Sequence, residues 1–194
     1  MQISGGKFIF KKMGTGENMK IEEYYKIIDK AAENREDFPI PNRDARHASY
    51  LLKTLFHYAE NEVRILTGGL FQGVFGDENL KEEAIKFLRK SPNVKLLVAF
   101  QGSASKEEVL SSSFLQSILA DPERKGTIEI YDAKKDFPSG INHFSVADAK
   151  AFRYELDHET RRAVGNFGDS NNATVLSALF DKIISKAEKV FATT

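Results

Sequence analysis

Ile141-Asn142-His143-Phe144-Ser145-Val146-Ala147-Asp148-Ala149-Lys150-Ala151-Phe152-Arg153-Tyr154-Glu155 sets two alternating runs on either side of a short polar turn. Successive side chains of a strand point to opposite faces, so His143 and Ser145 share one face while Phe144 and Val146 share the other. On the returning run, Arg153 and Glu155 alternate with Phe152 and Tyr154. Pairing as a hairpin around Asp148-Ala149-Lys150 keeps the aromatic residues together as core and sets His143 near Arg153 or Glu155.

Immediately downstream, residues 162–167 read as a further strand. Gly168-Asp169-Ser170-Asn171-Asn172 then opens a helix expected from Ala173 to Phe191, with Val175, Leu176, Leu179, Phe180, Ile183, Ile184, Ala187 and Val190 as its apolar stripe. A strand-to-helix turn of this kind, with Asn166, Asp169, Ser170 and Asn172, is where backbone N–H groups and short polar side chains commonly hold an anion. The expected site is therefore His143 beside an anion-binding helix start.

Upstream, Ile21, Tyr24, Tyr25, Ile28, Ala31 and Ala32 recur at helical spacing over 19–32, and 34–41 reads as a connector. A second helix spans 43–60, with Asn42 as N-cap, Asp44 in its first turn and a stripe from Ala45 to Ala59. Val63 to Thr67 is a strand running into a loop that begins Gly68-Gly69 and is rich in Gly and Phe. Residues 79–90 form a helix, and Val94 to Phe100 a strand covered on both faces. Ser105 and Glu108 match a capping box, and Thr127 to Tyr131 alternates as a strand. Lys7 to Phe10 is a short apolar run suited to an edge strand. This order predicts an α/β fold, a mixed β-sheet flanked by helices on both faces. Residues 1–42 are expected as an N-terminal helical extension packed on the core, and 43–194 as the α/β domain.

The chain has 194 residues, 28 basic and 28 acidic, so no global field draws it to polyanions. It has no Cys, which excludes disulfides and thiolate chemistry. No His, Asp and Glu set has metal-ligand spacing, and neither metal nor cofactor is expected. No apolar run approaches the roughly 18–20 residues that span a bilayer, and a cytoplasmic protein is expected.

The layout of residues 43–190 resembles the phospholipase D-like superfamily. Members place a His-x-Lys pair on a strand, an Asp after four more residues, and a Gly-Ser and an Asn in the next strand-to-helix turn. His143, Asp148 and the Gly168-Asp169-Ser170-Asn171-Asn172 turn stand in corresponding places. The resemblance implies that the His attacks a phosphodiester to give a phosphohistidine, while Lys, Ser and Asn hold the phosphoryl oxygens. This chain has Ser145 in place of the Lys, and Asp148 follows His143 by five residues rather than seven. Removing such a charge from the transition state commonly costs about 3–4 kcal/mol, a rate loss of several hundredfold. Lys150 and Arg153 are the candidates to replace it.

Each feature also has an ordinary reading. His143 can be a hydrogen-bonded strand residue, Arg153 and Glu155 a surface pair, and the 169–172 cluster a helix cap. His47, His57, His158, Lys134-Lys135 and Arg161-Arg162 read as link or solvated positions. The expected function is a degenerate phospholipase D-like domain that binds or senses a phosphate-bearing ligand or a protein partner, through His143, Ser145, Lys150, Arg153, Glu155, Asn166, Ser170 and Asn172. The rival is an active phosphodiesterase or nuclease with His143 as nucleophile, which by resemblance needs a homodimer to bring two motifs together. A purely structural domain of a larger bacterial system is the third reading.

Overall fold

A computed structural model describes residues 19–102, 104–134, 142–157 and 162–193. The expectations for Lys7 to Phe10, Lys135, His158 and Arg161 lie outside the described residues.

The elements follow in the order α1 (Ile21–Glu33), β1 (Ile40–Asn42), α2 (Ala45–Tyr58), β2 (Glu62–Thr67), α3 (Gln72–Phe75), α4 (Glu78–Arg89) and β3 (Lys95–Phe100). After these come α5 (Lys106–Leu110), α6 (Ser113–Leu119), β4 (Thr127–Asp132), β5 (Phe144–Ala147), β6 (Ala151–Asp157), β7 (Arg162–Asn166), α7 (Ser170–Ile184) and β8 (Glu188–Ala192). The strands form one sheet in the order β1-β7-β6-β5-β2-β3-β4-β8. β2, β3 and β4 run parallel, and every other pairing is antiparallel, so the sheet is mixed. Helices α1, α2, α4, α5 and α6 pack on one face around Phe56, Phe87, Phe100 and Phe114. α7 packs on the other, where Phe180 meets Phe144 edge-on at 6.4 Å between ring centres. Among the described residues, no helix is long and apolar enough to cross a membrane.

Three local expectations are corrected. The last helix stops at Ile184, and Glu188–Ala192 returns as a strand on the open edge of β4. The apolar spacing through Val190 continues a helical stripe, but pairing satisfies the backbone groups that β4 would leave at a bare edge. Lys189 adds an ion pair to Glu129 at 2.9 Å. The connector at 34–41 ends in β1, an edge strand on β7 in which Pro41 faces outward; Pro is tolerated there because no partner needs its N–H. The N-cap of α2 is Asp44, whose Oδ1 accepts from His47 N at 2.9 Å. Asn42 belongs to β1 and turns inward.

The hairpin forms as the alternation predicts, with Phe144, Val146 and Phe152 buried against α7. Its turn holds both Asp148 (φ 51°) and Ala149 (φ 52°) in the left-handed region. The Asp148 carboxylate accepts from the backbone N–H groups of Glu60, Asn61 and Glu62 at 2.7–2.9 Å. Asp148 thus clasps the start of β2 to the far end of the hairpin.

Candidate functional site

β2 and β3 end side by side, and β5 and β6 begin and end at the same edge of the sheet. Beyond that edge, under the first turn of α2 and the 68–76 loop, lies a cavity of about 620 Å³. The backbones of the two parallel strands leave the sheet in close contact: a Cβ on Gly102 would stand 2.3 Å from the Gly68 carbonyl oxygen. Position 102 therefore requires glycine.

His143, Ser145, Arg153 and Glu155 all line this cavity. Ser145 lies in register with Ile65 of β2 and Arg153 of β6, and Arg153 in turn with Gly165 of β7. Their side chains face α2, opposite Phe144 and Phe152, which face α7. His143 Nδ1 is 2.7 Å from the Glu155 carboxylate, itself buried, and Glu155 N donates to the His143 carbonyl. A carboxylate at Nδ1 orients the imidazole and turns Nε2 away from Glu155. The imidazole lies against Gly68, where a Cβ would stand 3.3 Å from Nε2.

Arg153 donates from Nε to Asn42 Oδ1 at 2.6 Å, and among the described residues it makes no ion pair within salt-bridge distance. Burial lowers the guanidinium's pKa, opposed by the nearby Glu155 charge; an arginine remains protonated throughout the physiological range. Ser145, 4% exposed, makes no hydrogen bond to a described residue, so its hydroxyl is left for the cavity.

The remaining expected site residues lie elsewhere. Asn166 pairs with Phe152, three positions along β6 from Glu155, and the turn after it emerges at the hairpin-turn end of the sheet. Asn166 Oδ1 accepts from Gly168 N and Asp169 N, and its Nδ2 donates to Asp37. Asp169 caps α7, accepting from Asn172 N and Asn172 Nδ2, while Ser170 is exposed. The expected convergence of His143 with the 168–172 turn is not what the fold produces, because β7 runs away from the His143 edge. Lys150 sits at the same distant end, 3.3 Å from Glu60. Of the two cations proposed to replace the motif lysine, Arg153 alone is beside His143.

Asp44, Thr67, Gly68, Gly69 and Phe71 also line the cavity. Their signal was the Gly-Gly pair directly after a parallel strand, where open α/β sheets place ligands.

No protein-family model and no curated protein sequence matches the chain. Among solved structures, TrmBL2, an archaeal chromatin protein with a novel mode of DNA binding, matches at TM-score 0.56 and 18% identity, over 88% of this chain and 61% of that one. Nuc from Salmonella typhimurium, a phospholipase D family member, matches at TM-score 0.52 and 10% identity, over 78% of this chain and 98% of that one. The fold is phospholipase D-like. NucT from Helicobacter pylori gives the same TM-score of 0.52 at 9% identity, over 79% of this chain and 99% of that one. The chain spans 61% of TrmBL2, less than two thirds of that protein's length. Identities this low carry the phospholipase D-like fold and leave the chemistry to the residues of the cavity.

Proposed function

We propose that the chain is a phospholipase D-like ligand-binding or sensing module, whose cavity takes a small phosphate-bearing molecule with Arg153 as the partner of the anion. The carrying observation is the Arg153 guanidinium, held from its Nε side by Asn42 at 2.6 Å and lining the cavity with no salt-bridged carboxylate among the described residues. A fixed planar fork of this kind binds phosphate oxygens in pairs. Ser145 and His143 line the same cavity and supply further polar contacts.

Charge limits the ligand. Apart from His143, the charged groups lining the cavity among the described residues are the Arg153 cation and the Asp44 and Glu155 carboxylates. That set suits one anionic group on an otherwise neutral molecule better than a polyanion, which favours a small ligand over nucleic acid. A protein partner is the further possibility within the same reading, acting where the cavity opens.

The test is thermal stability with phosphate-bearing ligands. A ligand at about 100 times its Kd adds about 2.7 kcal/mol to the folded state, a rise of about 5–10 °C for a domain of this size. Arg153→Gln is expected to abolish the rise. No rise with nucleotides, sugar phosphates or lipid phosphates overturns the proposal.

The second reading is a phosphodiesterase in which His143 is the nucleophile, in a homodimer. The specific observation favouring it is the Glu155 carboxylate at Nδ1, the arrangement that directs Nε2 at a substrate. Hydrolysis of a bis-aryl phosphodiester that is lost in His143→Ala supports it; absence of hydrolysis in both proteins rejects it.

A further inference from the structure

We infer that the ligand is a phosphorylated sugar, whose ring lies on Phe71 while its phosphate meets Arg153. The inference rests on the binding reading above and adds a second recognition surface to it. Phe71 is 58% exposed, one of four large apolar residues so exposed among the described residues, and it is the one that lines the cavity. An isolated exposed phenyl group is ordinary on a protein surface; its setting is what distinguishes this one.

The Phe71 ring lies across Gly68-Gly69. A Cβ on Gly69 would stand 2.8 Å from its Cζ, and one on Gly68 would stand 3.7 Å from its Cε2 and 3.2 Å from His143 Cε1. The phenyl and imidazole rings therefore bracket one glycine, and the backbone beneath them has no side chain to fill the gap. The loop is braced on both sides. Thr67 Oγ1 donates to the Gly69 carbonyl at 2.9 Å, and Gln72 Oε1 accepts from Ser113 Oγ at 2.9 Å. The phenyl face is thus presented at the cavity mouth by a tied loop.

A ring seated there needs hydrogen-bond acceptors for its substituents. Asp44 lines the same cavity, and its carboxylate takes a backbone N–H from His47 and a side-chain contact from Arg46, leaving lone pairs for hydroxyl donors. One cation, an available acceptor and an exposed aromatic face match a molecule with a single phosphate, several hydroxyls and a saturated ring. A cavity of about 620 Å³ has room for it.

The experiment measures Kd by calorimetry for inorganic phosphate, glycerol 3-phosphate, ribose 5-phosphate, glucose 6-phosphate and adenosine 5′-monophosphate. Wild type, Phe71→Ala and Arg153→Gln are compared. Because the chain contains no Trp, Phe71→Trp provides a fluorescence reporter at the mouth itself. The sugar phosphates are expected to bind at least tenfold tighter than glycerol 3-phosphate, and Phe71→Ala is expected to remove that difference without changing glycerol 3-phosphate binding. Equal affinity for cyclic and acyclic phosphates, or a difference that survives Phe71→Ala, overturns the inference. A nucleotide preference that Phe71→Ala removes assigns the stacked ring to a base and overturns the sugar. Affinity that Arg153→Gln leaves unchanged for every probe instead overturns the phosphate reading, so the two failures are distinguishable. Binding of none of the probes overturns both.

Discussion

At the scale of single residues, His47 shows how the first turn of α2 is tuned. Its ring lies tilted against that of Tyr24 at 3.9 Å between centres, and its Nδ1 is buried without a hydrogen-bond partner among the described residues. Burial lowers its pKa, more than Asp44 raises it, with Arg46 and Arg43 also lowering it. The neutral form is therefore favoured in the fold. A histidine of this kind contributes stability above its unfolded pKa of about 6.5 that is lost as the pH falls below it. Denaturant unfolding at pH 7.5 and 5.5 is expected to show lower stability at the acid value, and His47→Gln to reduce the difference. An unchanged difference in the variant assigns it to other groups. The depressed pKa of Asp44 acts lower: burial raises it, but the His47 N–H and charge and the Arg46 guanidinium outweigh burial. Its contribution is present above the unfolded carboxylate pKa of about 4 and is lost as the pH falls through the folded value.

At the scale of elements, the β5–β6 hairpin makes the sharpest prediction. L-residues in the left-handed region cost roughly 1–2 kcal/mol, and a glycine loses part of that gain to entropy. Ala149→Gly is expected to stabilise by ~0.5–1 kcal/mol, read from the denaturation midpoint. Asp148→Ala removes the acceptor of three backbone N–H groups and is expected to cost about 2–3 kcal/mol. A loss no larger than that of an exposed control substitution would show the clasp to be idle. The hairpin was also the most legible element, because alternation alone assigned Phe144, Val146 and Phe152 to core and set His143 near Arg153 or Glu155, of which the fold pairs it with Glu155. Helices α2 and α4 were legible by their stripes. β8 was not, because Val190 satisfies a helical and a strand pattern equally, and only the open edge of β4 decides between them. The 168–172 turn misled for a similar reason. Its polar residues fit both an anion site and a helix cap, and the direction of β7, which no local pattern carries, assigns them to the cap.

At the scale of the whole molecule, charge and topology bear on partners. Basic and acidic residues balance at 28 each, and non-specific DNA binding is built almost entirely from phosphate neutralisation. Polarisation of a labelled duplex is expected to show no saturable binding at micromolar protein in either 50 or 200 mM salt. A tight isotherm that weakens steeply with salt would reveal a basic surface that the overall balance conceals. Topology governs what the site can become. A one-residue slip between β5 and β2 would exchange every inward and outward side chain, and Asp148 opposes that slip from the end remote from the cavity. Positions 143, 145, 153 and 155 lie at the other end, where they line the cavity. The register of the hairpin and the side chains it displays at the cavity are thus specified from opposite ends of the same two strands.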